Sequence, residues 1–120
     1  VITFMNMTFE KVYLACGSTD MRKSIDGLAA IVIECFDLDP FSPCLFVFCN
    51  RKRDKLKILQ WEVNGFWLYY RRLEKGTFQW PSDKDLTPIS ISPRQFRWLL
   101  DGMSMNQHQA HREVLARTIL

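Results

Sequence analysis

Hydrophobic positions along the chain alternate between two periods, and each stretch of one period predicts an element. Residues 11–16 (KVYLAC) form a short apolar run with β-branched and aromatic members, ended by Gly17, and predict a strand. Met21, Ile25, Leu28, Val32 and Cys35 then recur at helical spacing, which predicts a helix over residues 20–36. Ser18, Thr19 and Asp20 offer oxygens and a carboxylate for its amino end, while Arg22 and Asp26 form an i, i+4 pair. Asp39-Pro40 and Ser42-Pro43 stop it, because proline disfavours helical backbone in the residue before it. Residues 44–49 (CLFVFC) are apolar at every position, which predicts an inner strand covered on both faces.

Asn50 to Asp54 (NRKRD) is a polar, basic turn. Beyond it, residues 55–63 and 66–73 flank Asn64-Gly65, a strong hairpin signal, since a type I′ turn needs positive φ at both central residues. That turn pairs Val63 with Phe66, Trp61 with Leu68, Leu59 with Tyr70 and Lys57 with Arg72 on the face assigned to the core. Glu62, Trp67, Gln60, Tyr69, Ile58, Arg71, Leu56 and Leu73 form the opposite, amphipathic face. Glu74-Lys75-Gly76 predicts a second turn into a strand at 77–80, and residues 86–91 an edge strand that tolerates Pro88. Ser92-Pro93-Arg94-Gln95 is a capping-box pattern for a short helix whose Phe96, Leu99 and Leu100 face inward and which Gly102 stops. The order predicts an α+β, two-layer domain over residues 1–102. In it an N-terminal strand and helix pack on a mainly antiparallel meander sheet, with a short C-terminal helix. Residues 103–120 read as a polar tail.

Composition adds limits rather than detail. A chain of 120 residues with 48% apolar and 24% charged residues suffices for one core without metals or disulfides. No apolar run approaches the roughly eighteen residues a membrane helix needs, and the start lacks signal-peptide features. The expected location is the cytoplasm, with Met5 or Met7 as candidate starts and four reduced cysteines. Cys44 and Cys49 fall on opposite faces of one strand, which argues against a shared metal. His108 and His111 read as solvated tail residues, and no cofactor is called for.

Charge does change the picture. Between Arg51 and Lys75 lie eight basic residues and three acidic ones, whereas the remainder carries eight basic and ten acidic. The whole +3 excess therefore sits in a window also threaded by Trp61, Phe66, Trp67, Tyr69 and Tyr70. Positive charge with interleaved aromatics suits a polyanion with stackable bases. Arg51, Lys52, Arg53, Lys55, Lys57, Arg71 and Arg72 are the candidate phosphate contacts, and Trp67 and Tyr69 the candidate stacking groups. The plainer reading makes the same cations ordinary strand-edge charges and the aromatics core.

Phosphate loops, nucleophile elbows and H-E-x-x-H zinc motifs are missing from the chain. Asp20, Asp26, Asp37 and Asp39 form an imaginable metal-binding carboxylate set. Asp20 and Asp26, however, have simpler helix-related roles. No catalytic residue is assigned.

These residues carry a resemblance. TDMRK at 19–23, NRKRDK at 50–55 and RLEKGTFQWP at 72–81 resemble the small accessory proteins encoded by the second reading frame of the IS-sixty-six group of bacterial insertion sequences. Cys49, where a basic residue is common, and Ser24, where glycine is common, depart from the pattern. The resemblance implies a noncatalytic helper of transposition, beside a separate transposase that performs the chemistry. Insertion-sequence DNA ends and that transposase are the partners it implies, and Asp20, Met21, Arg22 and Lys23 an interaction or fold-defining motif. DNA contact through the basic hairpin surface is the leading reading. Docking on the transposase through Trp67, Tyr69 and Leu73 is the alternative, and a metal-dependent nuclease a distant third.

Overall fold

The computed structural model describes residues 9–82 and 88–102. Five strands and two helices run β1 (Lys11–Leu14), α1 (Ile25–Glu34), β2 (Cys44–Cys49), β3 (Lys55–Glu62), β4 (Gly65–Arg72), β5 (Ile89–Ile91) and α2 (Pro93–Leu100). They make one sheet in the order β4-β3-β2-β1-β5. The β2-β3-β4 meander is antiparallel, β1 runs parallel to β2, and β5 pairs antiparallel with β1. Two parallel neighbours need a crossover, and α1 supplies it. The fold is α+β on a mostly antiparallel sheet, with a short C-terminal helix.

The apolar run of β2 occupies the middle of this sheet and is buried at every position. Cys44, Phe46 and Phe48 meet Leu28 and Val32 of α1 on one face, together with Leu59 of β3. Leu45, Val47 and Cys49 meet Phe96, Leu99 and Leu100 of α2 on the other, with Val12, Leu14, Leu56 and Ile58. Each face is thus closed by one helix. The two cysteines of β2 point to opposite faces, as strand parity requires. Cys49 is fully buried in the second core, and that desolvation pushes its thiol up to about 11.

The capping-box reading of α2 holds in full. Ser92 Oγ accepts from Gln95 N at 3.1 Å, and Gln95 Oε1 accepts from Ser92 N at 2.9 Å. Gly102, at φ 76°, ends the helix in the left-handed conformation.

Four local expectations are corrected. First, α1 begins at Ile25, behind Ser24 as N-cap, rather than at residue 20. Asp20 Oδ1 accepts from Arg22 N at 2.9 Å, so Asp20 closes a turn instead of capping a helix. Second, the hairpin turn is Val63-Asn64, and Gly65 belongs to β4 opposite Glu62. Trp61 therefore faces Phe66, Leu59 faces Leu68, Lys57 faces Tyr70 and Lys55 faces Arg72. The shift of two residues preserves which side chains share a face. It also forms a T-shaped Trp61–Phe66 pair with centroids 5.0 Å apart, offsetting a left-handed φ of 55° at Val63.

Third, the amphipathic hairpin face is part of the core, because α2 covers it: Leu56 and Ile58 are buried, and Tyr69 and Leu73 pack against them. Fourth, residues 77–80 alternate in burial as a strand would, yet join no ladder. Phe78 is buried, and its backbone N donates to Arg53 O at 2.7 Å outside the sheet. The first part of the expected 86–91 strand, and the tail 103–120, lie outside the described residues.

Candidate functional site

Strands β1 and β2 deliver their carboxyl ends to the same end of the sheet. In open sheets with parallel strands, that end is where loops converge on a ligand. The loop leaving β1 carries Ser18 to Lys23; the turn leaving β2 carries Asn50 to Asp54. Backbone bonds hold the first loop down, from Ala15 N to Val47 O at 2.9 Å and from Thr19 N to Cys49 O at 2.7 Å. Side chains add more: Arg53 donates to Gly17 O at 2.8 Å, Lys57 to Lys23 O at 2.8 Å, and the Trp80 indole to Ala15 O at 3.0 Å. Gly17, at φ 76°, turns the chain sharply there.

The second turn is organised by Asn50. Its Oδ1 accepts from Asp54 N at 3.1 Å and Lys55 N at 3.0 Å, while its Nδ2 donates to Asp54 Oδ1 at 2.7 Å. Arg53 sits in the left-handed region at φ 64°, as hairpin loops of this length require of one residue. The hydrogen bond from Asn50 holds the Asp54 carboxyl below its usual value, against desolvation and with help from Lys55 and Lys52.

Between the two turns lies an open groove of about 440 Å³, lined by Ser18, Thr19, Asp20, Met21, Asn50, Arg51, Lys52 and Lys55. Three cations face one carboxylate there. Asp20 is itself engaged in a two-toothed fork with Arg22, at 3.1 Å to Nε and 2.8 Å to Nη2. That fork, then the Arg22 backbone N–H, pulls the Asp20 carboxyl down to about 2, and the Arg22 guanidinium moves up in return. Among the described residues, Arg51, Lys52 and Lys55 have no carboxylate within ion-pair distance. The arrangement can hold an anion: braced turns present three cations that have no carboxylate partner among the described residues.

The sequence-predicted candidates divide into three groups. Arg51, Lys52 and Lys55 meet at the groove, and Asp20 and Met21 line its other wall. Arg22 and Lys23 continue that turn, so the two motifs are brought together. Arg53 and Lys57 brace the turns through backbone carbonyls instead of facing a partner.

Arg71 and Arg72 are also engaged within the fold. Arg71 Nε donates to Leu100 O at 2.9 Å, at the carboxyl end of α2, where a cation suits the helix dipole. Arg72 pairs with Glu74 at 2.8 Å. Trp67 and Tyr69 stack on one another at 6.1 Å on the sheet face that α2 covers. Lys55, Lys57 and Arg72 alternate with them onto the α1 face, so these aromatics and cations do not form one surface.

Ser18, Thr19 and Asn50 were not among the candidates, although all three line the groove. Asn50 had a readable signal, an Asx-type residue opening a basic turn. Phe41 was missed as well. It closes a surface aromatic cluster at 4.8 Å from Trp61 and 5.4 Å from Phe66, and nothing in its local sequence marks that contact.

What the fold and groove define is an α+β domain whose cationic recess is built from two loops at one sheet end. Comparison with known proteins places it more closely. Residues 10–110 match the model of the IS66 Orf2 like protein family, and the chain belongs to that family. Its role is accessory to insertion-sequence transposition. The chain is 38% identical to the uncharacterized protein y4hO of Sinorhizobium fredii (strain NBRC 101917 / NGR234), over 82% of this chain and 85% of that protein. It is 31% identical to the uncharacterized protein y4jC of the same strain, over 78% of this chain and 79% of that protein. No solved structure matches. Among the described residues, no helix is long and apolar enough to cross a membrane.

Proposed function

We propose that this chain assists transposition by binding DNA, with the groove between residues 18–23 and 50–55 seated on backbone phosphates. One observation carries the reading: Arg51, Lys52 and Lys55 are gathered at a groove with no carboxylate partner among the described residues. Like charges held together in braced turns repel unless an anion joins them. A duplex lowers that cost and gains by counterion release, so binding is sequence-tolerant and strongly salt-dependent. No reaction step is assigned to the chain. Asp20 is committed to Arg22, and Asp39 Oδ1 accepts from Phe41 N at 2.9 Å, so two of the four carboxylates have structural partners.

Docking on the transposase is the second reading. Its observation is Trp67, 50% exposed and stacked on Tyr69, on the sheet face turned away from Lys55 and Lys57. Electrophoretic mobility of insertion-sequence-end DNA decides between them, run with the protein alone and then with transposase. A shift by the protein alone that weakens with salt supports the groove. A shift that appears only with transposase, and survives loss of Arg51, Lys52 and Lys55, overturns it in favour of docking.

A further inference from the structure

Among the described residues, β4 pairs only with β3, so one full edge of an eight-residue strand stays open. The two edges of the sheet are built differently. Strand β5 has three residues, with Pro88 before it and Pro93 soon after, and offers little to a passing strand. Strand β4 contains no proline and no charge from Gly65 to Tyr70. Long, flat, uncharged edges are the ones that recruit another strand, and folded proteins ordinarily blunt them. Trp67 and Tyr70 flank this edge on opposite faces, 50% and 54% exposed. It therefore offers both a row of backbone groups and apolar area on either side.

The residue order says which strand fits. An aromatic half, Phe66-Trp67-Leu68, is followed by a cationic end, Arg71-Arg72. Parallel pairing with an identical strand would set arginines against arginines. Antiparallel pairing brings the Arg71-Arg72 end of one copy to the Phe66-Trp67 end of the other. There the guanidinium of Arg72, exposed although paired with Glu74, can lie over an aromatic face. The two arginine pairs are then kept apart by nearly the length of the strand, on the order of 20 Å at about 3.3 Å per residue. The strand is self-complementary in that orientation alone.

We infer that β4 is a homodimer interface, two copies joining antiparallel, β4 to β4, so that their sheets become continuous. This inference does not rest on DNA binding. It has a geometric consequence for it: because β4 runs parallel to β2, the inverted second copy carries its groove at the opposite end of the joined sheet.

Sedimentation of the full chain from about 1 to about 500 µM tests this, beside a Trp67→Lys/Tyr70→Lys variant that charges both flanks of the edge. Self-pairing predicts a wild-type dimer and at least about tenfold weaker association in the variant, with far-UV circular dichroism unchanged. A wild-type monomer throughout, or a dimer untouched by both lysines, overturns the proposal. Hydrogen exchange of the wild-type protein keeps the test decisive if the variant unfolds. Slowing of β4 amides with rising concentration supports the interface; slowing elsewhere, or none, overturns it.

Discussion

Arg51, Lys52 and Lys55 on one side, and Arg71 and Arg72 on the other, stand at the same end of the sheet. Lys55 faces Arg72 across the hairpin, and Leu73 N donates to Asp54 O at 2.8 Å. In sequence they belong to one basic window, yet the fold treats them differently. Arg71 is consumed by the last carbonyl of α2 and Arg72 by Glu74, while the first three are left around a groove. A run of charges becomes a surface only after each member's tertiary partners are counted. The pairing of Lys57 with Arg72 expected from the sequence shows the same thing. Lys57 lies opposite Tyr70 and gives its ammonium to Lys23 O, so it asks for no outside anion.

The largest effect comes from breaking that distinction directly. Replacing Arg51, Lys52 and Lys55 by alanine should weaken duplex binding by about a hundredfold near physiological salt and flatten the log–log salt slope by up to about three. Arg71→Ala with Arg72→Ala should change the slope by less than about one. Fluorescence anisotropy over a salt series measures both, and equal flattening would erase the difference claimed between the clusters.

Next in size is the turn that holds the groove cations. Asn50→Ala removes three hydrogen bonds at a part-buried site and should cost about 1–2 kcal/mol in urea unfolding, with DNA affinity falling as the turn loosens. Val63→Gly acts at the far end of the same hairpin. Val63 is 92% exposed at φ 55°, so the substitution relieves strain without opening a cavity and should raise stability by about 1 kcal/mol. Its DNA affinity should not change, which separates hairpin stability from groove function.

The smallest effect is at the groove wall. Asp20 should titrate near 2 by carbon-13 NMR, and Arg22→Gln should move it back toward its ordinary 3.8. The folded value is the depressed one, so what the fork contributes is present above 3.8 and lost as pH falls through about 2. An unshifted Asp20 in the wild-type protein would remove the fork from the turn.

Legibility followed locality. The doubly apolar β2, the capping box of α2 and the left-handed stop at Gly102 are events within a few residues, and all were readable. The start of α1 was misplaced because Asp20 can serve either a helix end or an Asx turn, and its choice rests on Arg22 and on the sheet end beneath. The hairpin register was misread because Asn64-Gly65 is a strong local signal that lost to the Trp61–Phe66 contact across the strands. At the groove, the basic wall was legible and its Ser18-Thr19 wall was not.

From the sequence alone follow the α+β class, the order of most elements, the inner strand and the segments rich in cations. Period, capping chemistry and composition act over short spans of chain, and no partner is needed to read them. Which cations stay available, which face α2 closes, and that residues 19–23 adjoin residues 50–55 were decided by tertiary structure. Those facts depend on contacts between groups some thirty positions apart, such as Arg53 with Gly17 and Arg71 with Leu100, and no local pattern encodes such a distance.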